Sequence, residues 1–209
     1  MTPQALLDLA ETVKLRRVDL NHTLSEIKFA PSDAPTDDPA MDITMEALFL
    51  RVFTEYEADL ERLFLHYVTG GASISARHAR SYLAARDETH ARRMVVNGFR
   101  FLSWAKPSAV RETAKNYLEN GWPITDVLAS KTQDITDCEK IRNRIAHRSV
   151  EAAADFAAVQ RNLFQTERVF PITPGHVLRT RFRGKSQHVL RHYNDELATA
   201  LIAITDPPP

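Results

Sequence analysis

Between Met45 and Tyr67 ten large apolar side chains recur at spacings of three and four: Met45, Leu48, Phe49, Val52, Phe53, Tyr56, Leu60, Leu63, Phe64 and Tyr67. That period is one face of an α-helix, and no strand could bury it on one side. Gly70 and Gly71 stop the pattern after about six turns, so a core built on this helix is expected. The rest of the chain agrees. It holds 6 glycines in 209 residues, under half the usual share of about 7%, which leaves few turns for a β-rich fold. Those glycines lie after or between apolar-periodic stretches, where a helix needs a left-handed residue to end it. The fold class is therefore all-α, a helical bundle with short irregular connections. A short segment with strand-like alternation is VLRTRFR from Val177.

Capping chemistry divides the chain further. Thr2 and Pro3 open a helix over roughly 3–28, within an N-terminal segment 1–30, with Leu6, Ala10, Val13, Leu20, Leu24 and Ile27 on one face. Residues 31–40, PSDAPTDDPA, carry no large apolar group and form a linker. A helical domain follows over 41–205, and 206–209 form a tail. Within that domain Asp87 can cap a helix ending at Gly98, Ser108 another, and Ser149 a third. Thr136 and Glu139 are spaced as a capping box. Ile135, Cys138, Ile141 and Ile145 mark a helix face, and Leu190, Tyr193, Leu197, Leu201 and Ile204 mark the last. Trp104 and Trp122 are core anchors.

Lys plus Arg and Asp plus Glu each total 27, which excludes a chain coated in basic charge for non-specific nucleic-acid binding. The single cysteine, Cys138, excludes an internal disulfide and a cysteine zinc cluster; it belongs to the apolar face and reads as a core residue. The N-terminal stretch is too polar for a signal peptide, and no apolar run approaches the roughly 18 residues of a membrane span. A cytoplasmic protein with no membrane contact is expected.

The stretch DCEKIRNRIAHR, Asp137 to Arg148, concentrates the candidate chemistry. On a continuous helix Asn143 and His147 lie about 40° apart, and His147 lies about 160° from Ile145, so the polar residues point away from the core. Arg142 is offset by about 140° from His147, so one helix does not readily bring both to one point. A second basic feature is RTRFRGK: if extended, it places Arg179, Arg181, Arg183 and Lys185 on one side, beside Phe182, as a track for a phosphate backbone. A solvated loop is the equal alternative. The arginines 77, 80, 86, 92 and 93 are dispersed helix surface. His188, His192 and Glu196 recur every four residues but would not converge on one ion, so no metal is expected.

Arg142 and Asn143, followed by three residues and then His147, resemble the Arg-polar-x3-His signature of the HEPN superfamily of helical domains. The long helix from Met45, the WPITDVL segment at Trp122 and the ITPGHVLR turn at Ile172 resemble the variant called RiboL-PSP-HEPN. The resemblance implies a metal-independent endoribonuclease without a cofactor, of the kind found as toxins and phage-defence effectors. Two subunits would pair across a shared groove, with a possible antitoxin as a further partner. The residue types suit attack by the RNA 2′-hydroxyl. A histidine exchanges protons near neutral pH, giving His147 that role. Arg142 offers a fork of donors to phosphate oxygens, and Asn143 an amide to orient the histidine or hold an oxygen. Arg144 and Arg148, with Arg179, Arg181 and Arg183, would bind substrate. The rival reading is a non-catalytic interaction or nucleotide-binding module. A plainer one is a surface helix whose terminal histidine complements the helix dipole.

Overall fold

The computed structural model describes residues 1–27, 38–98, 103–167, 169–181 and 187–207. Among them are α1 (Pro3–Glu26), α2 (Pro39–Val68), α3 (Glu88–Gly98), α4 (Pro107–Tyr117), a 3-10 turn (Glu119–Gly121), α5 (Ile124–Ser130), α6 (Thr132–Ala146), α7 (Val150–Phe164), α8 (Pro174–Arg179) and α9 (Val189–Thr205). Pairing between extended segments is confined, among the described residues, to three isolated bridges, and the fold is all-α.

Helix starts follow capping chemistry. The Thr2, Asp38, Ser149 and Thr173 side chains accept backbone N–H groups of Ala5, Met41, Ala152 and His176, each replacing a hydrogen bond the first turn cannot make for itself. Asp87 does the same for His90 at 2.8 Å. Two expected caps and one boundary are corrected. Ser108 lies inside α4, which begins at Pro107 without a side-chain cap. Thr136 and Glu139 form no capping box, because α6 starts at Thr132, a full turn earlier. Residues 38–40 of the expected linker belong to the start of α2, with Asp38 its cap and Pro39 and Ala40 in its first turn; residues 28–37 lie outside the described residues.

Phe49, Phe53, Leu60, Leu63, Phe64 and Tyr67 of α2 are fully buried. The Phe49, Phe53 and Tyr56 rings stack at centroid spacings of 5.9 and 5.7 Å along the helix. Leu190, Tyr193, Leu197 and Leu201 of α9 and Ile135, Cys138 and Ile141 of α6 join the same core. Helix α1 packs along α9, and its Leu6, Leu9 and Val13 belong to that core too. Trp104 and Trp122 are anchors as expected, edge-on to Phe64 and Tyr67. Tyr67 closes one end by donating to the Ile204 carbonyl at 2.6 Å.

Over its described part, Val177 to Arg181, the alternating segment is not a strand. Its first three residues end α8, which Thr173 caps and Pro174 begins, and helical geometry puts both Val177 and Leu178 into the core. Gly175 does not end a helix. It sits in the first turn of α8, where a Cβ would overlap the backbone of Asp42, so its lack of a side chain lets α8 lie directly on α2. Gly70 does take a left-handed conformation, at φ 83°, just beyond α2.

Candidate functional site

Helix α6 turns Ile135, Cys138 and Ile141 inward and ends at Ala146, one residue before the histidine. His147 is extended (φ −131°, ψ 135°), with its N–H still donating to the Asn143 carbonyl at 2.8 Å. The helical angles expected between His147 and Asn143 or Ile145 therefore do not apply. The cause is Ser149: as cap of α7 it must be extended (φ −74°, ψ 161°), so the chain has to leave α6 before reaching it. His147 and Arg148 are exposed in the short junction between two helices. The last carbonyls of a helix lack intrahelical partners, which makes this end a place where cationic side chains are favoured.

Arg142 is half-buried and donates from Nη1 to Asn143 Oδ1 at 3.2 Å. Adjacent positions on one helix thus cooperate through the length of the arginine, an arrangement helical angles alone did not suggest. Arg144 is also half-buried. The structure brings Arg142, Asn143, Arg144, His147 and Arg148 to one end of α6.

It adds two carboxylates that the sequence reading missed. Glu57, half-buried on α2, has its carboxyl pushed up by burial, against the opposing pull of Arg142 and a hydrogen bond from the Ala105 backbone. Glu139, one turn before Asn143, is also pushed up by burial, with Lys106 the strongest opposing charge and Asp155 adding to the rise. Arg142 thus sits in the field of two carboxyls that hold their protons more tightly than usual. No local pattern in the sequence marks Glu57, because its burial depends on what packs against α2. Deeper in α6, burial raises Asp137 to about 6, although Gln133 and Asn162 hydrogen-bond to it. Burial also pushes the Cys138 thiol well up, which suits a core residue and not a nucleophile.

Within the second basic feature, Arg179 does not join this cluster. Arg179 ends α8 and donates from Nε to Asp42 Oδ1 at 2.7 Å, with both side chains largely buried. Asp42 also accepts from the Thr173 hydroxyl. Fifteen residues of α2 separate Asp42 from Glu57, or about 22 Å of helix. The placement of Arg179 in a substrate track is therefore corrected: it is spent on docking α8 against α2. Arg181 is exposed and bridged to His188; Phe182, Arg183 and Lys185 lie outside the described residues.

The histidines of α9 separate likewise. His188 Nδ1 meets the Arg179 carbonyl at 2.5 Å, His192 Nε2 meets Asp134 Oδ1 at 3.0 Å, and Glu196 pairs with Lys131. Among the described residues no group of three or more His, Cys, Asp or Glu is placed to hold a metal, and no helix is long and apolar enough to cross a membrane. Of the dispersed arginines, Arg80 pairs with Glu119, Arg92 with Glu61, and Arg77 lies 5.4 Å from the Trp122 ring centre.

Comparison of the chain with protein-family models, curated proteins and solved structures gave no match.

Proposed function

We propose that this protein is an endoribonuclease of HEPN type that cuts RNA at the end of α6, needing no metal or cofactor, and that two copies pair to complete the site. The observation that carries the reading is the gathering of Arg142, Asn143 and His147 at one helix end, with the imidazole exposed and the guanidinium bonded to the amide. In the reaction the RNA 2′-oxygen forms a bond to the neighbouring phosphorus and the bond to the 5′-oxygen breaks. One histidine takes the 2′-hydroxyl proton and a second group returns a proton to the leaving oxygen. His147 from each copy supplies these two transfers, and Arg142 meets the charge building on the phosphate. Arg144 and Arg148 hold the flanking backbone. Val150, 82% exposed three residues beyond His147, offers apolar surface for a second copy at the same end. Within this reading the enzyme is a cytoplasmic toxin or phage-defence effector, restrained by a partner protein such as an antitoxin.

The test is incubation with mixed single-stranded RNA in excess EDTA, beside His147→Ala, with analysis of the ends. The reading expects 2′,3′-cyclic phosphate ends from the wild-type dimer and none from the variant, which should fold normally because the side chain is exposed. A folded dimer that leaves all RNA intact would sink the proposal and favour an interaction module using the same surface.

A further inference from the structure

Arg16 of α1 pairs with both Glu55 and Asp59 of α2. Glu57 lies about 200° round the helix from each of them, so α1 covers the side of α2 facing away from Arg142. On that far side α1 and the start of α9 border an open groove of about 600 Å³. Lys14, Arg17, Asn21, His22 and Ser25 line it from α1 and Arg191 from α9; among the described residues lining it there is no carboxylate. The α1 positions named lie three, seven, eight and eleven residues beyond Lys14 and form one stripe about 16 Å long.

The stripe is anchored from below. Arg17 Nε and Asn21 Nδ2 both donate to Asp195 Oδ1, at 2.7 and 3.0 Å. The buried Asn194 donates to the Arg17 carbonyl at 3.2 Å and to Asn21 Oδ1 at 3.4 Å. Asp195 offsets one charge, and Glu11 lies 3.7 Å from Lys14 in a solvent-exposed pair that is weak in water. Arg191 adds a further cation from the facing helix. Lys14, Arg17 and Arg191 along one concave face outnumber the two carboxylates, Asp195 and Glu11, that meet them, so a further anion is favoured there. We infer that this groove binds phosphate groups, more than one at a time, on an RNA backbone or on a free oligophosphate. It offers no aromatic ring beyond the imidazole for a base to stack on, so phosphate oxygens carry the recognition.

This inference does not rest on the cleavage reading, because the groove shares no residue with the α6 cluster. Its test uses the full chain and K14Q/R191Q, in which two exposed side chains lose their charge. One arm measures binding of a labelled 2′-O-methyl RNA decamer, which lacks the attacking hydroxyl, by fluorescence anisotropy across a salt series. The other measures the rise in Tm given by tripolyphosphate. If backbone phosphates are the ligand, K14Q/R191Q loses about ten-fold in decamer affinity and its log–log salt slope flattens by about 1.4, or about 0.7 for each phosphate that is no longer neutralised. If a free oligophosphate is the ligand, the tripolyphosphate stabilisation disappears in the variant and decamer binding does not change. The inference is overturned if K14Q/R191Q behaves as wild type in both, or if H147A and not K14Q/R191Q abolishes binding. Should the double variant fold poorly, the single variants K14Q and R191Q each expect part of the same loss.

Discussion

Replacing Asp137 by Asn should stabilise the protein, and by an amount that depends on pH. The side chain is 4% exposed, and burial lifts its carboxyl from the ordinary 3.8 to about 6. A folded-state value above the unfolded one means that the native protein binds this proton more tightly. The associated stability is complete below about pH 4, is lost as pH rises through about 6, and stays lost above it. Two units at about 1.4 kcal/mol each give a ceiling of about 3 kcal/mol. Asn162, a hydrogen-bond partner of the carboxyl, is itself exposed, so water relaxes part of the cost and about 1 to 3 kcal/mol is the working range. Asn keeps the acceptor that Gln133 uses at 2.9 Å and never has to ionise. For a chain of this length the change corresponds to roughly 2 to 12 °C in Tm. Thermal unfolding followed by circular dichroism at fixed protein concentration should show D137N above wild type near pH 7.5, with the gap closing near pH 4. A variant less stable than wild type by the same margin at every pH would refute the reasoning, since it would show that the carboxylate is needed as an anion.

Three other outcomes are open to measurement. Gly175→Ala should cost about 2 to 3 kcal/mol in denaturant unfolding, because its Cβ has nowhere to go but into the Asp42 backbone; an unchanged midpoint would mean that α8 can lift away freely. Arg179→Ala should cost about 3 kcal/mol by leaving Asp42 buried without its cation, while RNA cleavage per folded molecule stays at the wild-type level. Glu57→Gln should lower the KM for RNA several-fold near pH 8, because the carboxylate beside Arg142 competes with phosphate for it; as pH falls and Glu57 takes up its proton, the two enzymes should converge. A KM ratio that does not vary with pH would exclude that competition.

The parts of this fold legible in the sequence are those decided within a few turns of chain. The three-four spacing from Met45 to Tyr67 needs no tertiary information, and neither do the caps at Thr2, Asp87 and Ser149, where a short polar side chain satisfies a donor two or three residues on. Helix α8 was obscured because Val177 to Arg183 ends in arginines alternating with Thr180 and Phe182, a pattern too short to be told from a strand. Thr173 followed by Pro174 was the stronger signal. The end of α6 was misplaced because two local preferences compete there, and the extended backbone required at Ser149 prevails over continuing the helix through His147. Glu57 and the burial of Arg179 depend on which helices meet, and no local pattern encodes that. The cluster at Arg142, Asn143 and His147 could be named from its residue types, whereas its setting between two carboxyls came only from the packing.

Helix α2 meets its neighbours at fixed positions: α8 at Asp42, α1 at Glu55 and Asp59, α6 across from Glu57, α3 at Glu61, and α9 at Tyr67. These engagements work like teeth cut on different sides of one shaft. A single residue inserted or deleted between Asp42 and Glu57 would turn every later tooth by about 100° and slide it about 1.5 Å, so that none could mesh while the earlier ones stayed seated. The length of this helix is therefore held more tightly than the identity of most residues in it. Divergence in this chain should appear as substitutions along α2, with changes of length confined to the connections on either side.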